Sequence, residues 1–162
     1  MVEANLVGAV VPLLVTAFAA GFFRSRFHWL RIGKFTLFTF VVVALVGSVW
    51  GAIYNVLSMP GYLYIIVWFF VVIWYSRVRF VRADFYLSMG ELYAIGTLGV
   101  FLDDAIRTLL GFLNVPIIGL KIDPNIWGAA GPLDGIFLSG MMQAFLFLLM
   151  SDFFRGGFGR RP

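Results

Sequence analysis

Cysteine is absent from the 162-residue chain, and histidine occurs once, at His28. The first absence excludes disulfides, thiol nucleophiles and thiolate metal sites within this chain. The second excludes a site built from several imidazoles. Charge is scarce as well: 12% of the residues are Asp, Glu, Lys or Arg, where a soluble domain carries about 25%. Hydrophobic residues make up 62%, and a water-soluble fold of this length leaves too much surface outside to hide them. Lipid as the solvent resolves the conflict, since a helix crossing a bilayer needs roughly 20 apolar residues in succession. The net charge of +4 is small. Its bases lie in short clusters between apolar runs and not in the stripe that a nucleic-acid face requires, so no nucleic-acid partner is expected.

Five apolar runs are present, about 5–23, 35–57, 62–76, 85–102 and 132–150. Runs such as FVVVALV and YIIVWFFVVIWY do not alternate as a membrane barrel strand does, and helices satisfy their backbone hydrogen bonds within lipid. The expected fold is therefore all-α, a polytopic membrane bundle of five transmembrane helices in one domain, 1–162. Ala17–Phe18–Ala19 resembles a signal-peptide cleavage site. However, Glu3 and no base precede the run, and the basic cluster follows it, which reverses a signal peptide's charge order. The run is read as a retained helix.

Orientation follows from charge. Arg24, Arg26, Arg31, Lys34, Arg77, Arg79, Arg82, Arg155, Arg160 and Arg161 all follow runs one, three and five; only Arg107 and Lys121 fall on the opposite side. The positive-inside bias puts the N-terminus outside and the C-terminus in the cytoplasm, in what is expected to be a prokaryotic cytoplasmic membrane. Residues 103–131 then form an external loop, punctuated by Pro and Gly, and 151–162 a cytoplasmic tail. Trp29, Tyr54, Tyr62, Tyr64, Trp74, Tyr75, Tyr86 and Trp127 cluster near run ends as an interfacial belt, an anchoring feature.

Glu91 is the most informative residue. It stands six residues into the fourth run, roughly 9 Å deep at 1.5 Å per residue. A carboxyl group there is costly unless protonated, paired or hydrated. Gln143 and Thr16 fall at about the same depth on the fifth and first runs, and Ser88 lies one turn nearer the cytoplasm. These four residues are expected to form an intramembrane polar layer. Two readings of it are open: an interhelical hydrogen bond that locks the bundle, or a proton or cation relay.

Asp103, Asp104 and Arg107 lie about 18 Å beyond Glu91 along a helix axis, at the external interface. Spacings of i,i+4 and i,i+3 let Arg107 pair with either aspartate. Beyond a solvated ion pair, the cluster has two further readings. One is a divalent-cation site completed by Asp123 and Asp134, with oxygen ligands of the kind calcium takes. The other is a docking surface for an external partner. A diphosphate-binding DDxxD reading fails because Arg107 holds the fifth position.

Small residues recur at helical spacing: Gly47 and Gly51 in the second run, Gly135, Ser139 and Gly140 in the fifth. Such rows let helix backbones approach closely, either within one chain or at an oligomer seam. Arg24, Arg26, Arg31 and Lys34 are expected to hold anionic headgroups on the cytoplasmic side. No nucleophile, base and acid stand together, and haem would need an axial ligand in a helix core. No enzyme activity and no cofactor are expected, and the identity of any metal is left open. The expected role is an integral-membrane structural or accessory subunit, or a small oligomer-forming membrane protein, whose partners are lipids and other membrane subunits or further copies of itself. The alternative is a small oligomeric channel or a proton/cation-coupled transporter using Glu91.

Overall fold

The computed structural model describes residues 3–4, 6–24, 28–54, 61–79, 85–112, 126–127 and 135–158. Among the described residues there are five α-helices: α1 (Val11–Phe22), α2 (Trp29–Tyr54), α3 (Gly61–Arg79), α4 (Phe85–Phe112) and α5 (Gly135–Phe158). A π-helical turn, Leu6–Val10, leads into α1. It lies just ahead of Pro12, whose ring removes an i→i−4 bond and crowds the carbonyl four residues back; the wider turn accommodates that ring. The one strand pairing among the described residues is a two-residue parallel bridge, β1 (Glu3–Ala4) with β2 (Ile126–Trp127), in the register Glu3 to Ile126.

Several helix limits differ from the expected run limits. First, α2 begins at Trp29, well before Phe35. Arg31, Ile32 and Lys34 are thus helical, and the N–H groups of Arg31 and Ile32 bond the His28 carbonyl at 2.9 and 3.0 Å. Arg and Lys are good helix formers, so the basic stretch before the apolar run can extend its helix. Second, α4 continues unbroken to Phe112, so residues 103–112, the start of the expected external segment, are helix, as the sequence allows as far as Leu113. An i,i+4 ion pair between Asp103 and Arg107 supports that last stretch, as such pairs do. At the other end of the chain, α5 runs on into the expected tail as far as Phe158.

Among the described residues, two helices are long and apolar enough to cross a membrane, over Trp29–Gly47 and Phe85–Leu110. Gly8–Phe22, Tyr64–Ser76 and Gly135–Ser151 are shorter apolar stretches.

Contacts show how the helices alternate. At one end the close of α1 meets the start of α4, where a Cβ built on Gly90 would touch the Phe23 ring at 3.5 Å. Phe85, the first residue of α4, stacks on Phe147 toward the end of α5 at 5.6 Å. At the other end Gly135, the first residue of α5, lies against Val100 of α4 and Tyr64 of α3. Helices consecutive in sequence therefore run antiparallel, while α2 runs parallel to α4 and α3 parallel to α5; α4 is central and packs mainly against α5 and α2.

Glycine sets these two central crossings. A Cβ on Gly96 would sit 2.5 Å from the Ser139 carbonyl oxygen of α5, and one on Gly99 would sit 2.6 Å from the Thr39 methyl of α2. Both helices reach the α4 backbone where no side chain intervenes, the mode of approach expected of small residues. The apolar core is gathered around this axis: Val71, Val72, Leu92, Ile95 and Ile136 are fully buried. On α3 the buried positions are Val67, Trp68, Val71, Val72, Tyr75 and Ser76, a 3–4 spacing that puts one face of the helix inward.

Candidate functional site: a buried carboxyl group joining three helices

Glu91 is wholly buried. Its position on α4 directs the side chain toward the end of the bundle where α2 begins and α3 finishes. The Tyr75 hydroxyl of α3 donates to Glu91 Oε2 in a short hydrogen bond. The backbone N–H of His28, the residue preceding α2, donates to Oε1 at 3.3 Å. One carboxyl group thus connects α2, α3 and α4.

Each partner is there for a local reason. Tyr75 continues the inward face of α3, so its ring is buried while the hydroxyl needs an acceptor, as buried tyrosines do. Phe35 of α2 packs edge-on against it at 5.5 Å. His28 stands at the cap of α2, where the N–H groups of the first turn have no partner within the helix. A carboxyl group at such an end also faces the positive pole of the helix dipole.

The other expected members of the polar layer are buried too: Ser88 at 1%, Gln143 at 0% and Thr16 at 7% exposure. The Thr16 hydroxyl and both amide atoms of Gln143 have no hydrogen-bond partner among the described residues, and neither do the hydroxyls of Thr39 and Ser76. The hydrogen bonds to Glu91 described above come instead from Tyr75 and His28. Sequence reasoning placed Tyr75 in an interfacial belt and passed over it as a partner. An available signal was its place on the Trp68, Val71, Val72 face of α3.

At the opposite end, Arg107 Nε donates to Asp103 Oδ2 at 2.8 Å, so the i,i+4 aspartate is an observed partner. Across from this pair, a Cβ on Gly47 would lie 3.1 Å from Arg107 Nη2. The guanidinium therefore lies over the α2 backbone at a glycine. Asp123 and Asp134 lie outside the described residues. Among the described residues, no group of three His, Cys, Asp or Glu side chains is placed to hold a metal ion.

The small residues of α5 are engaged within the chain. Ser139 Oγ accepts from Trp68 Nε1 of α3 at 3.1 Å, and Gly140 faces Thr97 and Tyr93 of α4. The surroundings of Gly51 lie outside the described residues, as does Arg26. Arg24 and Lys34 are exposed and Arg31 is half-buried. No protein-family model, curated protein or solved structure matches the chain.

Proposed function

We propose that this chain is a five-span integral-membrane subunit that contributes a helical scaffold and no catalytic centre of its own. The observation that carries the reading is the inverted polarity of the bundle. Leu14, Phe18, Leu30, Leu45, Phe70 and Leu149 are between 61% and 78% exposed, while Glu91, Gln143, Thr39 and Ser139 are fully buried. Water favours the opposite arrangement, and a contiguous apolar exterior on this scale marks a membrane or protein interface. α3 and α5 are 19 and 24 residues long as helices, against roughly 17–25 for a spanning helix, and their apolar stretches are the shorter Tyr64–Ser76 and Gly135–Ser151. The basic clusters after α1, α3 and α5 put those ends, with the Glu91 site, on the cytoplasmic side and residues before α1 outside. The apolar exterior is then available to lipid, to further copies of the chain or to other membrane subunits. The carboxyl group held from two sides favours the locking reading of Glu91.

Mild detergent extraction followed by native mass measurement tests the assignment. Unlike subunits retained in fixed stoichiometry support it. A chain that runs alone or only with copies of itself contradicts the subunit role. A second reading, a proton- or cation-coupled channel or transporter, draws on the buried Gln143 amide and the Thr16, Thr39 and Ser76 hydroxyls, which have no partner among the described residues. It requires flux in proteoliposomes that Glu91→Gln abolishes; unchanged flux in that variant refutes it.

A further inference from the structure

A cleft of about 600 Å³ opens at the start of α2 and is lined by His28, Trp29, Leu30, Arg31, Lys34, Phe35 and Trp74. Its volume is in the range of small-molecule sites. Phe35 forms the buried floor, and Trp74 of α3 stands beside it at 5.1 Å, ring edge to face. Among the described residues no acid lines the cleft. Glu91 is buried and turned toward Tyr75 and the His28 N–H. Among the described residues neither Arg31 nor Lys34 forms an ion pair, the Asp103–Arg107 pair being at the other end of the bundle.

From this arrangement we infer a specific site for one anionic phospholipid of the cytoplasmic leaflet, its phosphate on Arg31 and Lys34. The inference rests on the membrane reading above. Charge complementarity selects the head: two bases, with no acid among the described lining residues. The tails are selected by what continues from Lys34. Leu37, Val41 and Leu45 follow at helical spacing, all three more than 40% exposed. From Lys34 to Leu45 the stripe runs about 16 Å at 1.5 Å per residue, close to half of the ~30 Å hydrocarbon core. A charged notch that leads into an apolar stripe one leaflet long matches an amphiphile, where a free phosphate would use the notch alone. Trp29 and Trp74 flank the junction, the depth that indole rings favour.

A diffuse basic surface treats every arginine alike, whereas this site does not. Arg24 is exposed and does not line the cleft. The test is native mass spectrometry of the full chain in neutral detergent, titrated with phosphatidylglycerol and, separately, with phosphatidylcholine. One phosphatidylglycerol should be retained in preference to phosphatidylcholine. Each base near a headgroup is worth about fivefold, so Arg31→Gln with Lys34→Gln should weaken retention about thirtyfold, while Arg24→Gln changes it less than twofold. Circular dichroism confirms that the variants keep their helix content. Loss in Arg24→Gln equal to that in Arg31→Gln overturns the site, as do equal retention of phosphatidylcholine or full competition by glycerol 3-phosphate. Recovery of the chain in the aqueous fraction after carbonate washing overturns the membrane reading and this site with it. A membrane-retained chain whose double variant binds normally overturns the site alone.

Discussion

Replacing Glu91 by alanine should cost more stability than any other single truncation at its end of the bundle. The carboxyl group accepts from the Tyr75 hydroxyl and from the His28 N–H, so truncation strands a wholly buried hydroxyl and a helix-cap N–H together. A buried polar group left without its partner costs about 1–3 kcal/mol, although interhelical bonds measured in membranes average nearer 0.6 kcal/mol, with a maximum of about 1.7. The expected loss for Glu91→Ala is therefore about 2–3 kcal/mol once the vacated side-chain volume is included. Tyr75→Phe removes one donor and keeps the ring, and it should lose about 1 kcal/mol. Because the two residues share a bond, the losses should not add. A double-mutant cycle should return a coupling of about 1 kcal/mol, measured by denaturant unfolding in mixed micelles. Glu91→Gln retains an acceptor oxygen and should lie between wild type and Glu91→Ala. A coupling below about 0.3 kcal/mol, within the range of independent sites, would refute the shared bond and the three-helix connection built on it.

Three further predictions concern helix glycines and the α3–α5 contact. Gly96→Ala places a Cβ 2.5 Å from a backbone carbonyl oxygen of Ser139, an atom that moves only if α5 moves, so a loss of about 1–3 kcal/mol is expected. Gly21→Ala meets nothing within 4 Å and should be neutral or slightly stabilising in the same unfolding assay. Trp68→Phe removes the donor to Ser139 Oγ and should cost about 0.6–1.7 kcal/mol; a neutral result would show that this bond contributes nothing to the α3–α5 contact.

Five helices are legible in the sequence because apolar runs and basic clusters alternate along it, and each run folds into a helix. Glu91 is legible for a related reason: one carboxyl group within an apolar run is conspicuous. Its partners are not. Tyr75 looks the same in sequence whether it anchors at an interface or turns inward to donate, and only the packing of α3 decides between them. The His28 N–H carries no side-chain signature at all, since any residue at the cap of α2 presents that group. The start of α2 is also not marked by the apolar run, which begins at Phe35 while the helix begins at Trp29. Gly96 and Gly99 were hidden differently. They lie three residues apart, outside the four-residue rows that stand out in α2 and α5, yet they face different neighbours and set both central crossings.

The absence of cysteine makes the central claim directly measurable, because single cysteines can be introduced without background. Ser25→Cys, Ser58→Cys, Ala83→Cys, Asn125→Cys and Arg160→Cys sample the segments that join or follow the five helices. A membrane-impermeant maleimide applied outside intact cells should label positions 58 and 125, and should label 25, 83 and 160 only after the membrane is opened. Labelling of all five positions in intact cells, or of 25 and 58 from the same side, would contradict a five-span bundle with its basic ends in the cytoplasm.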